Sequence, residues 1–331
     1  MSMFKSLNIS LLLILGALVF SSEKPVAASE LKPDSVVCSE LDFDPFLDFF
    51  DTETPMEIRL MFDMKNFQRT SSQEKYHSAL LTVFDSDSCE YDYPVRLKTR
   101  GVFRKSYCTI PPFWLNIRKS GIDSEAFDGM KKMKVVPHCL NKDFYQDYVL
   151  KEYLAYKIYA IVSPYSFKVR LLKITYIDAG RKNKETEAWA FAIEPKEMMA
   201  ERLDASLLDN DFLAMKHMDP DVMDHLALFD YMIGNTDYSI TGQHNVKIMK
   251  LNNPVSEKDP HSYIPVPYDF DFTGCVNTIY AKPSSTARIT DVTSRYYTGP
   301  CRSDLVFDKL VEDFSNHKDT IHDLLQPFEY M

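Results

Sequence analysis

Gly234-Asn235-Thr236-Asp237, His244-Asn245 and Pro265-Val266-Pro267-Tyr268-Asp269-Phe270-Asp271 set the reading of this chain. They form two acidic, Asn-bearing clusters about thirty residues apart, with a short strand between them. Taken singly, the first is a helix C-terminus running into a turn, and the second a proline-bounded strand start. In succession they supply what phosphoryl transfer needs. Magnesium takes hard oxygen ligands near octahedral geometry, usually one or two carboxylates plus substrate phosphates. A further carboxylate orients the attacking hydroxyl. Asp237, Asn245 and Asp269 are those residue types, in that order.

Upstream of the first cluster, Asp219-Pro220 opens a helix with Pro at its first position. Val222, Leu226, Phe229 and Ile233 form its apolar stripe, and Gly234 ends it. From about Lys196 the chain reads as helical, with a helix over Ser206–His217. Downstream, an irregular stretch from Lys282 to Pro300 precedes two closing helices. Their apolar residues are Leu305, Val306, Leu310 and Phe314, then Ile321, Leu324 and Leu325.

The first half is β-rich. Met56–Met64, Val95–Thr99 and Phe113–Arg118 alternate as strands and His77–Phe84 is rich in β-formers, with turn signals between them. Lys132–Val136 is a short strand ended by Pro137. A helix from Phe144 to Ile161 follows, with Leu150, Leu154, Ile158 and Ile161 at helical spacing and Asp143 as its N-cap. Strands over Lys168–Ile177 and Ala188–Ile193 flank a charged loop. The order predicts an α+β, bilobal fold: a β-rich lobe with one helix (56–195) and a mainly helical lobe (196–331).

Composition narrows the function classes. The 331 residues are 45% hydrophobic and 26% charged, enough for one large core or two lobes. Only 9 are Gly, and no GxGxxG or GxxxxGK[ST] pattern occurs. No GxSxG or HExxH element occurs either, so serine-hydrolase and zincin chemistry lack support. A net charge of −10 argues against nucleic-acid binding, which needs a basic stripe. Lys5, the apolar run Leu7–Phe20 and the small residues after it have the layout of a secretory signal peptide (1–28), followed by an extension (29–55). The mature protein is then expected outside the cytosol, periplasmic or secreted, with no membrane span. In such a compartment the 6 Cys, none spaced as CxxC, suggest disulfides, with Cys108–Cys139 and Cys275–Cys301 favoured by proximity and buried free thiols as the alternative.

Lys134 on the short strand and Glu152 on the following helix have the order of a phosphate-holding Lys and the Glu that fixes it. Lys132, on the same strand face, competes with Lys134. At these residues the chain resembles the spore-coat-H-like (CotH) kinases, and more loosely the HipA-type kinases. The resemblance rests on Arg100-Gly101 followed by Arg104, the Glu-bearing helix, Gly-Asn-x-Asp at 234–237, His-Asn at 244–245 and Tyr-Asp-x-Asp at 268–271. It implies a bilobal protein-kinase-like fold using ATP and Mg2+. It further implies Asp237 as the catalytic Asp, Asn245 and Asp269 as magnesium ligands, and Arg100 beside the phosphates. Asp271 would be a second metal ligand or a capping carboxylate. Three departures bear on activity. The Asp237-to-Asn245 step is longer than that of ordinary kinases, Tyr238 replaces a basic residue, and Ile110-Pro111-Pro112-Phe113 replaces Lys-Lys-Ser.

Three functions are therefore expected, in this order. The first is a secreted Mg-ATP-dependent kinase acting on a protein or small-molecule hydroxyl acceptor. The second is a non-catalytic kinase-like module that binds a nucleotide or a partner. The third is a glycosyltransferase using Asp269-Phe270-Asp271 as a DxD motif.

Overall fold

Alternation in the first half builds a closed barrel. The computed structural model describes residues 44–85, 89–117, 120, 132–208, 213–253 and 263–328. The expected signal peptide and the extension up to residue 43, with Cys38, lie outside the described residues. Around the barrel run β1 (Met56–Phe62), β2 (His77–Phe84), β3 (Glu90–Thr99), β4 (Phe113–Asn116), β5 (Lys132–Pro137), β7 (Lys184–Ile193) and β6 (Val169–Asp178). All neighbours are antiparallel except the closing pair, where β1 lies parallel to β6 from Met56↔Leu172 to Phe62↔Asp178. Successive strand residues point to opposite faces. Leu97, Leu115, Met133, Val135, Ile174 and Ala190 fill the interior. Arg96, Lys98, Trp114, Lys132 and Lys134, at the alternate positions, therefore face outward.

The helices α1 (Met64–Arg69), α2 (Phe103–Tyr107), α3 (Phe144–Val162) and α4 (Lys196–Arg202) punctuate this half. α3 starts where the sequence predicts, but Asp143 has helical φ and ψ and its side chain caps nothing. A second sheet, ordered β10-β9-β8, comprises β8 (Ala205–Leu208), β9 (Val246–Leu251) and β10 (Tyr263–Pro267). It is joined by α5 (Pro220–Ile233), α6 (Asp304–Asn316) and α7 (Lys318–Leu325). α5 follows its sequence signals closely: the Asp219 carboxylate accepts from the Val222 amide, and Gly234 closes the helix at φ +70°.

The bilobal, kinase-like fold with a helical second lobe is not what forms. A closed seven-stranded barrel replaces the β-rich lobe, and the second half contributes a three-stranded sheet. Two physical causes account for this. Barrel closure depends on β1 meeting β6 more than a hundred residues away, and no local periodicity encodes that pairing. Ser206–His217, predicted as a helix, begins instead as β8, where Leu207 lies opposite Met249; cross-strand packing overrides local propensity. One apolar core runs through both halves. Tyr153, Tyr156 and Tyr159 of α3 meet Phe191 of the barrel, Ile248 and Ile264 of the second sheet, and Leu226 and Phe229 of α5. Each such fully buried aliphatic or Phe side chain stabilises the fold by about 1.5–3 kcal/mol relative to exposure.

Cys108, at the end of α2, is disulfide-bonded to Cys139, in the turn leading to α3. The expected Cys275–Cys301 bond does not form, and both thiols are free. Cys275 lies against Thr273, its thiol pushed up by burial. A disulfide suits an oxidising compartment. Among the described residues, no helix is long and apolar enough to cross a membrane.

Candidate functional site

Gly234 turns the chain out of α5 in a conformation that leaves no room for a side chain. A Cβ there would lie 2.8 Å from Arg295 Nη1 and 2.9 Å from the Val292 carbonyl. The next residue folds back onto the helix. Asn235 donates from its amide and from Nδ2 to the carbonyl and Oδ1 of Asp230, while its own Oδ1 accepts from the Asp237 amide at 2.9 Å. Asp230 is fully buried, and burial pushes its carboxyl well up, with Asn235 opposing. The result is a fixed Asp237. His244 Nε2 sits 3.1 Å from one Asp237 oxygen, and Asn245 Nδ2 donates to the other at 3.0 Å. Burial pushes the Asp237 carboxyl up, His244 draws it down, and Asp269 adds to the rise.

Beside Asp237 the chain leaves β10 through two acidic residues. Asp269 has φ +68° and Asn245 φ +53°, left-handed values that cost a non-glycine residue free energy and that cluster at functional sites. The strained turn is held from both sides: the Asp269 amide donates to Tyr156 Oη at 2.8 Å, and the Tyr268 amide donates to the Asn245 carbonyl. Glu152 from α3 completes a trio, with oxygens of Glu152, Asp269 and Asp271 all within 4.8 Å of one another. Arg104 of α2 enters the same space. Its Nη2 donates to Glu152 Oε2 at 2.7 Å and its Nε to Asp271 Oδ2 at 2.8 Å, while Tyr280 Oη donates to the same Asp271 oxygen.

Three carboxylates, two buried and one half-buried, gather around one guanidinium that bonds the two buried ones. Burial raises both the Glu152 and Asp271 carboxyls, with Arg104 pulling each back. Glu152 Oε1 has no hydrogen-bond partner, although Glu152 is only 2% exposed. Such an atom costs about 1–3 kcal/mol or more unless something satisfies it. Hard oxygen donors, surplus negative charge and an orphaned carboxylate oxygen fit a divalent cation such as Mg2+.

A set of cations lies within electrostatic reach of Asp269 through Lys134. Lys134, 8% exposed, places Nζ 4.8 Å from the Tyr268 ring, 5.7 Å from Trp114 and 5.8 Å from Phe167. Burial first, and then Arg100 and Lys247, lower its amine to about 7, with Asp269 and Glu197 opposing. Arg100 and Lys132 also lie over Trp114, and Lys247 over Tyr268. Among the described residues, none of these four cations has a carboxylate at ion-pair distance; each faces an aromatic ring instead. Among the described residues these cations gather without acidic partners, in a chain whose net charge is −10.

The predicted residues Arg100, Lys134, Glu152, Asp237, Asn245, Asp269 and Asp271 thus meet in one region, with different pairings from those expected. Glu152 bonds Arg104 rather than Lys134. Asn245 supports Asp237 through Nδ2. Asp271 is tied to Arg104 and Tyr280, and its carbonyl accepts from Thr278 Oγ1. Sequence reasoning missed the bridging role of Arg104 and the contributions of Tyr156, Asp230, Lys247 and Tyr280. Only Asp230 carried a signal, as an acidic residue within the apolar run of α5. No protein-family model matches the chain, and neither does any curated protein.

Proposed function

We propose that this site binds a magnesium–nucleoside triphosphate outside the cytosol and transfers its terminal phosphoryl group to a hydroxyl acceptor. One observation carries the reading: among the described residues, four cations without acidic partners accompany a trio of carboxylates, Glu152 and Asp271 buried and Asp269 half-buried, with an orphaned oxygen on Glu152. Polyphosphate and divalent metal together satisfy both halves. The resemblance to spore-coat-H-like kinases belongs to this proposal through Arg100-Gly101, Gly234–Asp237 and Tyr268–Asp271; the kinase-like fold does not.

In this reading Arg100, Lys134 and Lys247 hold the phosphates, with Lys132 at the exposed rim. Glu152, Asp269 and Asp271 would hold the metal, which supplies charge neutralisation on the phosphate oxygens when bound. Asp237 accepts the proton of the acceptor hydroxyl as its oxygen bonds to the terminal phosphorus; the bond to the bridging oxygen breaks, and the diphosphate leaves. A carboxyl raised by burial is the better base for that step. Asn235, held by Asp230, keeps Asp237 aimed, and positioning is the larger part of such catalysis.

A second reading, nucleotide binding without transfer, is favoured by Arg104, which already bonds two of the three carboxylates. Calorimetry with Mg-ATP and a labelled-phosphate transfer assay separate the two. Asp269→Ala should lose nucleotide binding and transfer together. Asp237→Asn should keep binding while transfer falls about 10²–10⁴-fold. Wild-type binding with no transfer to any acceptor selects the second reading. Transfer from labelled nucleotide sugars instead would move the function to glycosyl transfer.

A further inference from the structure

The anion site is one end of a longer basic face. Across the outward side of the barrel, β3 offers Arg96 and Lys98 with Arg100 just beyond it, β4 offers Trp114 and Asn116, and β5 offers Lys132 and Lys134. The pairing places Lys98, Trp114 and Lys134 side by side, with Arg96 opposite Asn116 and Asn116 opposite Lys132. Two rings are interleaved with the five cations. Arg96 and Lys98 lie 4.9 and 5.9 Å over Tyr76, and Arg100, Lys132 and Lys134 lie 5.8, 4.5 and 5.7 Å over Trp114. Asn116 Nδ2 donates to Tyr76 Oη and joins the two clusters. Among the described residues, Glu74 is the one carboxylate paired with the five, 3.5 Å from Lys98 and shared with Lys105.

We propose that this face docks an extended, carboxylate-rich peptide. Identifying that peptide as part of the phosphoryl acceptor rests on the function proposed above; the docking itself does not. The argument is complementarity of charge and spacing. Alternate residues of a strand are about 6.8 Å apart, so Arg96 and Lys98 are spaced at the interval at which an extended peptide presents every second side chain, and they lead toward Arg100 and the phosphate cluster. Single-stranded nucleic acid also tracks basic grooves, but its bases need open aromatic faces on which to stack. Here both rings already carry the protein's own cations. Trp114 has three within 6 Å. A carboxylate chain needs the cations and not the rings.

Fluorescence anisotropy on the full, disulfide-bonded chain tests this, using a labelled peptide with Glu at alternate positions and a labelled oligothymidylate of equal length. The peptide should bind at low salt and weaken steeply as salt shortens the range of the charges. Reversing two partly exposed contacts in Arg96→Glu/Lys98→Glu should weaken it about tenfold or more. Arg96→Ala/Lys98→Ala should lie between wild type and reversal, and covers a folding failure of the reversed variant. Mg-ATP binding should be the same in all three, because Arg96 and Lys98 lie outside the phosphate cluster. Absence of peptide binding at low salt, or binding that both variants retain, overturns the proposal. So does tighter binding of the oligothymidylate, which would make the face a nucleic-acid site. Peptide binding by a chain that does not bind Mg-ATP would leave the docking face standing and remove the phosphotransfer reading.

Discussion

Replacing Lys134 by methionine should make this protein more stable and less able to bind nucleotide, and the size of the gain should depend on pH. Lys134 is 8% exposed and the pKa of its amine falls from 10.5 to about 7, chiefly through burial. At about 1.4 kcal/mol per pH unit, holding it charged costs the fold about 4–5 kcal/mol at pH 6. The cost is complete below pH 7, where folded and unfolded chains are both protonated. It shrinks as pH rises toward 10.5, because the folded amine is then neutral and only the unfolded one still binds a proton. Methionine has a similar unbranched shape and no charge. Contacts of the ammonium with Tyr268, Trp114 and Phe167 return about 0.5–2 kcal/mol to the wild type. The variant should therefore be about 2–4 kcal/mol more stable at pH 6, with the gap nearly closed by pH 10. Urea unfolding of both proteins across that range measures it. A wild type as stable as the variant at pH 6, or a gap that widens with pH, would refute the account of Lys134 as a buried charge kept for an anion.

Nucleotide binding should take up a proton above pH 7, since phosphate restores the charge on Lys134; calorimetry in two buffers of different ionisation enthalpy should give an uptake approaching one near pH 8.5, and zero uptake argues against Lys134 as the phosphate ligand. Arg104→Met strips the counter-charge from Glu152 and Asp271 and should cost about 3–5 kcal/mol. Magnesium should recover more of the melting temperature in that variant than in wild type, and equal magnesium shifts would place the metal elsewhere. Removing the Cys108–Cys139 bond by Cys108→Ser/Cys139→Ser frees a loop of sequence separation 31 and should cost about 3–4 kcal/mol in unfolding experiments.

Local elements were legible where a local signal decides them. β2 and α5 start and stop where β-forming residues between turn signals, Asp219-Pro220 and Gly234 place them, because turns and caps are settled within a few residues. The candidate site residues were legible for the same reason: hard ligands and a base have few possible residue types, and they sit in short clusters. Their partners were not. Arg104 reaches Glu152 and Asp271 across 48 and 167 residues of sequence, and nothing near Glu152 distinguishes Arg104 from Lys134 as its counter-ion. Net charge concealed the basic face in the same way, since −10 is a sum over the chain and says nothing of five cations gathered on β3, just beyond its end and on β5, to either side of β4. By itself the sequence determined most of the barrel strands, the helices α3 and α5, and which residue types stand in the acidic clusters. Only the tertiary structure decided that β1 closes on β6, that residues 205–208 pair with β9 and that Arg104 enters the carboxylate trio. Each of those outcomes is a contact between distant segments, and its free energy depends on burial and pairing that no local window contains.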